Sequence, residues 1–378
     1  YFDSQDLSSR KADELPWQLA EVKEWWLLCR ALADPRLIGA VWANEEHEAK
    51  HYWSCLEGNS FKMIDAYAGI LANPSECESD EAVWGLADLL SNAGYLSEEL
   101  DLLRYLSGVY EKALPSKPAR HNVGVLLNRQ ALNLQHQGLV AEAASFSREC
   151  IALYEQEEDS DGLQVALGTH AMILRDISDL PGARQCLVKK ERICRDHGLT
   201  AGLAAALIDH GLLEVDIGNL SQAMSLFEQA ESLCGQRNDR MGLSVIHDNK
   251  AQILFLQGNF AEALAHLSLS EEFLDTIGNI YGLQMVLGHK AIILGAQGNT
   301  SGALEALERK GQICREHGYV QDLVHSLANQ AEVCAKRGRM LKALPLAKEA
   351  NDIANEHCLR NLQPKIAAII EEIRSQIN

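Results

Sequence analysis

Residues 251–263 read Ala251-Gln-Ile-Leu-Phe-Leu-Gln-Gly-Asn-Phe-Ala-Glu-Ala263, and the pattern of this stretch returns along the chain with a period of 40 residues. The alanine that closes it recurs as Ala143, Ala183, Ala223, Ala263, Ala303 and Ala343. The glycine recurs, with one serine in the series, as Gly138, Ser178, Gly218, Gly258, Gly298 and Gly338. The small residue that opens it recurs as Ala131, Ala171, Gly211, Ala251, Ala291 and Ala331. Such regularity predicts one supersecondary unit that is copied along the chain.

Each recurring position has a mechanical meaning in a helical hairpin. The first small residue lets two helices approach closely, and the second alanine faces it across the hairpin. The glycine ends the first helix, because the left-handed backbone conformation needed there penalises any Cβ atom. Apolar residues follow helical spacing on both sides of the glycine. One hairpin cannot bury its own apolar face, so the hairpins must stack.

The sequence therefore predicts an all-α fold, an α-solenoid of about seven 40-residue hairpins. The hairpins are predicted near residues 80–117, 123–162, 163–202, 203–242, 243–282, 283–322 and 323–358, so that residues 79–358 form the array. A capping helix is expected over residues 362–378. All six tryptophans lie before residue 85, which marks residues 1–78 as a different, non-repetitive helical region. In that region we expect helices over about 15–33, 36–44, 45–57 and 60–72.

Composition and charge exclude several classes of protein. The net charge is −19, whereas a protein that binds nucleic acid needs a basic surface. No apolar run approaches the roughly 20 residues that cross a bilayer. The ten cysteines include no CxxC pair, so we expect free thiols and a cytoplasmic location. Because the chain starts with Tyr1 rather than Met, we expect it to be part of a longer polypeptide.

The spacing small–x6–Gly–x4–Ala resembles that of the tetratricopeptide repeat (TPR). The stretch Arg10-Lys-Ala-Asp-Glu-Leu-Pro-Trp-Gln-Leu-Ala20, with His51-Tyr-Trp53, resembles the segment that joins the nucleotide-binding part of STAND/NACHT-type NTPases to a C-terminal TPR array. Phrases in the repeats add to this resemblance, namely Glu191-Arg-Ile-Cys-Arg-Asp-His-Gly198, Gln312-Ile-Cys-Arg-Glu-His-Gly318 and Leu327-Ala-Asn-Gln-Ala331. Nephrocystin-like proteins and bacterial antiviral STAND proteins have this arrangement.

The resemblance implies a division of labour within a larger signalling or antiphage-defence protein. This chain would be the sensor that recognises a protein, and it would carry out no catalysis itself. The effector and the nucleotide switch would lie upstream, and recognition would release the NTPase module to oligomerise. The isolated array is expected to be monomeric.

Motifs for chemistry are scarce. The sequence contains no phosphate-binding GxxxxGK[ST] loop and no GxSxG nucleophile elbow, and no cofactor is expected. His47 and His51 belong to a formal HExxH match, in which two imidazoles on one helix face can bind zinc. Because the surrounding residues are very polar, we interpret this match as a surface helix. Histidine, lysine and glutamine alternate at one repeat position, which indicates polar packing between hairpins: Gln130, His170, His210, Lys250, Lys290 and Gln330.

A partner is expected on the concave surface, which the first helix of each TPR unit lines. Counting from the recurring small residue, the positions that face it include Arg129, Gln135, Arg175, Asp176, Asp209, Asp216, Asp248, Asn249, Gln252, His289, Asn329 and Glu332. The Lys/Asn carboxylate clamp of chaperone-binding arrays is not reproduced. The aspartates among these residues suggest a surface of negative potential that suits a basic segment, although an acidic, merely solvated face is the competing interpretation.

Three other functions remain open at this stage. The chain could be a stand-alone scaffold that holds an extended peptide, or a receptor for a signalling peptide. An enzyme is supported only by the HExxH match.

Overall fold

The computed structural model describes residues 9–44, 46–77, 79–113, 116–357, 359 and 362–377. Within these ranges the chain consists of α-helices joined by short turns, with one 3-10 turn at Pro74–Glu76 and no strand. This confirms the predicted all-α, solenoid fold class. The chain divides into two compact units, Tyr1–Leu199 and Thr200–Asn378.

The first unit begins with helices that do not repeat. These are α1 (Ser9–Glu21), α2 (Trp25–Leu32), α3 (Pro35–Asn44), α4 (Glu46–Glu57) and α5 (Met63–Ala72). Hairpins follow, formed by α6 (Asp80–Asn92) with α7 (Leu96–Lys112), α8 (Lys117–His136) with α9 (Val140–Gln156), and α10 (Ser160–Asp176) with α11 (Leu180–Asp196). The Trp53 and Tyr67 rings pack in the core of the non-repetitive part, with centroids 5.5 Å apart.

The prediction of a single helix over residues 15–33 in this part is wrong. The stretch 15–33 forms two helices, α1 and α2, rather than one. The chain turns at Lys23, which adopts a positive φ of 58°. Two backbone hydrogen bonds close the turn, from Lys23 N to Ala20 O and from Glu24 N to Leu19 O, both 3.0 Å long. The apolar pattern did not reveal this turn, because no glycine marks it.

The second unit is hairpins throughout, closed by a single helix. The hairpins are α12 (Thr200–Ile217) with α13 (Leu220–Arg237), α14 (Arg240–Leu256) with α15 (Phe260–Ile277), α16 (Ile280–Ala296) with α17 (Thr300–Glu316), and α18 (Val320–Lys336) with α19 (Met340–Glu356). The last helix is α20 (Gln363–Ile377), which packs on α18 and α19. Leu362, which precedes this helix, and its buried residues Ile366, Ile369 and Ile373 join the apolar cluster of that last hairpin.

The recurring residues do what their chemistry predicts. Gly258 ends α14 at φ 80°, and the N–H of Asn259 then donates to Leu254 O over 2.8 Å. Ser178, which occupies the glycine position of its hairpin, adopts φ 63°, a left-handed conformation that is unfavourable for a residue with a Cβ atom. Ala251 and Ala263 are fully buried, so the two helices can approach closely at that point. Across the described ranges, every helix is either too short or too polar to traverse a lipid bilayer.

Candidate functional site: the exposed face of the first helices

The candidate site is the solvent-facing side of the first helix of each hairpin, which we call the first-helix face. In the second unit α14 lies beside both α12 and α16, so equivalent positions on these helices are neighbours. The twelve residues predicted to contact a partner are all half-buried or exposed, and none is buried. These residues are therefore at least partly accessible to solvent, and their contact with a partner stays a prediction.

In the first unit two of the predicted residues bond to neighbouring first helices. Arg129 on α8 donates to Asp88 on α6, donates to Glu99 on α7 over 2.7 Å, and lies 5.4 Å above the Trp84 ring. Its guanidinium therefore serves as an anchor between hairpins. Gln135 on α8 donates from Nε2 to the Oδ2 atom of Asp176, which lies on α10.

In the second unit Asp248 on α14 is the centre of a similar set of bonds. His289 Nδ1 on α16 lies 2.7 Å from Asp248 Oδ1, and Gln252 Nε2 donates to Asp248 Oδ2 over 3.0 Å. Asn249 donates to the carbonyl of Val245 in its own helix over 2.8 Å. The negative charge of Asp248 is therefore partly used within the chain.

The other end of this face contacts the capping helix. Lys365 at the start of α20 places Nζ 3.3 Å from Asn329 Oδ1 and 3.8 Å from Glu332 Oε1, and both of these residues lie on α18. A lysine of the chain itself thus occupies this amide–carboxylate position.

The remaining predicted residues are divided between the units. Arg175 is half-buried and Asp176 exposed in the first unit. Asp209 is half-buried on α12, and Asp216 is exposed near the end of that helix, in the second unit. Three of the four aspartates expected to form an acidic surface therefore belong to the second unit.

The first-helix face also has an apolar component that the repeat register did not predict. Leu256 on α14 is 64% exposed, Ile292 on α16 is 55% exposed and Met285 on α16 is 38% exposed. Exposed apolar side chains mark an interaction site when they form a contiguous patch, whereas single scattered ones are common on protein surfaces. The sequence held a signal for Leu256, because its repeat position is polar in four other hairpins, as His136, Asp176, Asp216 and Lys336, and alanine in one, as Ala296.

The position where histidine, lysine and glutamine alternate does pack between hairpins, as predicted. Gln130 donates to Ser107 over 3.0 Å, and His170 Nδ1 lies 2.8 Å from Ser147 Oγ. In the second unit His210 Nε2 lies 3.4 Å from Glu214 Oε1 on its own helix, so this ion pair is not the predicted contact between hairpins. The other residues at this position in the second unit do bond between hairpins: Lys250, Lys290 and Gln330 bond to Glu231, Glu271 and the Leu307 carbonyl respectively. In each of these bonds between hairpins the partner lies on the second helix of the preceding hairpin.

The HExxH match gains no support from its surroundings. His51 is exposed and its Nε2 lies 3.7 Å from the Sγ atom of Cys55, while the side chain of His47 lies outside the described residues. Burial raises the pKa of the Cys55 thiol, which disfavours the thiolate that binds metal. Among the residues that the structure describes, no three His, Cys, Asp or Glu side chains are grouped to hold an ion.

A cavity of about 750 Å³ lies elsewhere in the first unit, beside the turn between α9 and α10. Its polar side chains bond to each other: Arg120 to Glu157 over 2.8 Å, His121 to Asp159 over 3.3 Å, and Ser160 to His197 over 3.1 Å. These bonds do not use every polar atom of the cavity, because the buried Nε atom of Arg120 has no hydrogen-bond partner within the described part of the chain.

Comparison with solved structures shows what the chain is similar to in fold. A STAND protein with a tetratricopeptide repeat sensor from Pyrococcus horikoshii superposes with a TM-score of 0.56 and 12% identity, over 96% of this chain and 56% of that chain. A Rap protein complexed with Competence and Sporulation Factor gives a TM-score of 0.55 and 14% identity, over 92% of this chain and 99% of that one. Aspartyl phosphate phosphatase F from Bacillus subtilis gives 0.52 and 14% identity, over 93% and 95% of the two chains.

These likenesses establish a TPR-like helical repeat fold. The sequence matches no model of a known protein family, and no characterised protein matches it at the level of sequence.

Proposed function

We propose that this chain is a protein-binding array whose docking surface is the first-helix face of the second unit. The observation that carries the proposal is the set of exposed apolar side chains on the first helices of two neighbouring hairpins, Leu256 on α14 and Ile292 and Met285 on α16. Burying one such side chain under a partner contributes about 1.5–3 kcal/mol, so two or three of them supply a useful affinity.

The partner segment is proposed to be basic as well as apolar. Asp209 and Asp216 on α12 and Asp248 on α14 also lie on this face, and the whole chain carries a net charge of −19. Lys365, which lies against Asn329 and Glu332, is an example within the chain of a cation on this face. The acidic groups would accelerate association and orient the partner, while apolar burial would hold it.

The larger role we propose is that of the ligand sensor of a STAND NTPase. Two observations support it: the resemblance of residues 10–20 to the segment that precedes the array in that family, and the similarity in fold to a STAND protein with a TPR sensor. In this role the array does no chemistry and oligomerisation belongs to a separate NTPase module.

The docking surface is tested by selecting a random peptide-display library on the purified chain. We expect the enriched peptides to combine Lys or Arg with large apolar residues, and to bind less tightly when sodium chloride rises from about 50 to 500 mM. Replacing Leu256 and Ile292 together by serine is expected to lower the affinity for these peptides at least about tenfold, since burial of each side chain contributes more than about 1.4 kcal/mol.

Leu341→Ser is the matched control. Leu341 is 90% exposed but lies on α19, a second helix, so its replacement should leave peptide affinity unchanged. Enriched peptides that bind the Leu256/Ile292 variant as tightly as the original chain would exclude the first-helix face as the docking surface.

The role as a sensor is tested by an antibody blot against this array in extracts of the source cells. A polypeptide much larger than 41.7 kDa that binds ATP supports a STAND parent. A band near 41.7 kDa rejects it and leaves a self-contained adaptor.

A further inference from the structure

Two histidines meet inside the second unit, away from the first-helix face. The Nδ1 atoms of His247 on α14 and His266 on α15 lie 2.8 Å apart, which is hydrogen-bonding distance. The His247 ring is buried and stacks on Phe273 with the ring planes 12° apart. One Nδ1 must carry a hydrogen and the other must not, because two N–H groups cannot face each other at this distance.

Charged groups from three helices surround the pair. Glu231 on α13 places Oε1 3.6 Å from His247 Nε2, and its other oxygen accepts a hydrogen bond from the buried Lys250 ammonium of α14. Glu262 on α15 faces His266. The pair therefore lies where one hairpin, α14–α15, packs on the second helix of the hairpin before it, α13.

Burial lowers the pKa of both imidazoles. At His247 the Glu231 carboxylate opposes this lowering, while His266 and Lys250 add to it. At His266 Lys250 again adds to it, and Glu231 and Glu262 oppose it. For Glu231 itself, burial raises the pKa, but the hydrogen bond and charge of Lys250 outweigh it and keep the carboxyl ionised.

We propose that the His247–His266 pair is a pH-sensitive joint, which holds α14–α15 against α13 while at least one Nδ1 is unprotonated and loosens when both imidazoles become cationic. Two imidazolium rings would lose their mutual hydrogen bond and place two positive charges beside a third, that of Lys250. The Glu231 carboxylate can compensate only one of these charges, and it is already bonded to Lys250.

The direction of the effect follows from proton linkage. The opened hairpin exposes both histidines, which then titrate near the ordinary value of about 6.5. Below that pH the open state binds more protons than the packed state, so packing weakens as pH falls and is unaffected above about pH 7. Each imidazole that stays neutral in the packed state raises the opening constant by up to about tenfold per pH unit.

The test is amide hydrogen exchange of the full chain at pH 7.5, 6.5 and 5.5, with intrinsic exchange rates divided out. Between pH 6.5 and 5.5 we expect the opening constant of α14–α15 to rise by up to about thirtyfold in the original chain, because each imidazole, half-protonated in the open state at pH 6.5, contributes at most about fivefold. His266→Gln keeps a polar partner for His247 but removes one titrating ring, so the rise should fall to about fivefold or less. His357→Gln, which changes an exposed histidine at the end of α19, should behave like the original chain.

A rise in His266→Gln equal to that of the original chain overturns the proposal, as does the absence of any rise in the original chain. Imidazole C–H resonances of the original chain give an independent measurement that does not depend on a variant folding. The resonances of His247 and His266 should titrate below the ordinary histidine range, and midpoints near 6.5 for both would also overturn the joint.

Discussion

The hairpin α12–α13 contains two residues in contact, one on each helix, whose substitutions should affect stability in a coupled way. Gly211 on α12 stands where the other hairpins from the second onward have alanine, and Phe227 on α13 fills the space in front of it. A Cβ atom added at Gly211 would lie 2.6 Å from Phe227 Cε1, 2.9 Å from Cζ and 3.0 Å from Cδ1. The residues equivalent to Phe227 in three other hairpins are Leu187, Leu267 and Leu307.

We expect Gly211→Ala to destabilise the chain when residue 227 is phenylalanine and to stabilise it when residue 227 is leucine. In the original chain the clash with the ring costs about 1–3 kcal/mol, which outweighs the gain of about 1 kcal/mol from removing a helical glycine. In a Phe227→Leu background the ring is gone and only that gain remains. The double variant should then be more stable than Phe227→Leu alone, with a coupling energy of about 1–3 kcal/mol between the two sites.

Urea unfolding followed by helical circular dichroism measures the four stabilities of this cycle. Gly235→Ala is the control, because a Cβ at this position of α13 meets nothing within 4 Å and should stabilise the chain in either background. If Gly211→Ala has the same effect with phenylalanine as with leucine, within about 0.5 kcal/mol, then the glycine is not there to accommodate the ring.

Two further predictions concern a helix end and the thiols. Asp239 caps α14 by accepting from Gly242 N over 2.8 Å, so Asp239→Ala should lower the free energy of unfolding by about 1 kcal/mol, whereas Asp239→Asn should be close to neutral in urea unfolding. Burial raises the thiol pKa to about 12 at Cys150 and about 11 at Cys234, so both thiols should resist alkylation at pH 8 in the native chain and react promptly in urea. Peptide mass spectrometry locates the labelled thiols, and prompt labelling of either one in the native chain would contradict its burial.

The fold was predictable because its rule is local and repeated. A glycine such as Gly258 indicates the turn, and an alanine such as Ala263 indicates where the two helices of a hairpin approach closely. Six copies of the same pattern along the chain support the same interpretation. The turn at Lys23 shows the limit of this signal. There the left-handed residue is a lysine, and tertiary packing of α1 and α2 selects a conformation that the side chain does not favour.

The candidate site was predictable only in part. Register alone gave the accessible side of the first helices, but it could not tell which polar groups are used within the chain. Arg129 illustrates this, because its bonds to Asp88 and Glu99 depend on residues 41 and 30 positions earlier in the sequence. Lys365 likewise reaches Asn329 only because α20 folds back on α18.

The spacing of these bonds explains what remains available to a partner. Three pairs of residues on successive first helices are separated by 41 positions, namely Asp88 with Arg129, Gln135 with Asp176, and Asp248 with His289. Where the repeat is 40 residues, equivalent positions lie side by side on neighbouring first helices, and an offset of one more residue brings Gln135 to Asp176 and Asp248 to His289. The first two hairpins are 44 residues apart, from Gly94 to Gly138, so Asp88 lies three residues beyond the position equivalent to Arg129.

Polar groups on this face therefore tend to satisfy each other in pairs, and a partner that replaces such a bond gains only the difference between two hydrogen bonds. Exposed apolar side chains such as Leu256 and Ile292 have no such alternative within the chain, and water is the environment that they leave on binding. Affinity on the first-helix face should accordingly come from these side chains, while the paired acids discriminate among partners by charge. A charge substitution at Asp248 should thus change the salt dependence of the affinity more than the affinity at high salt. Substitution of Leu256 or Ile292 should instead lower the affinity at high salt and leave its salt dependence nearly unchanged.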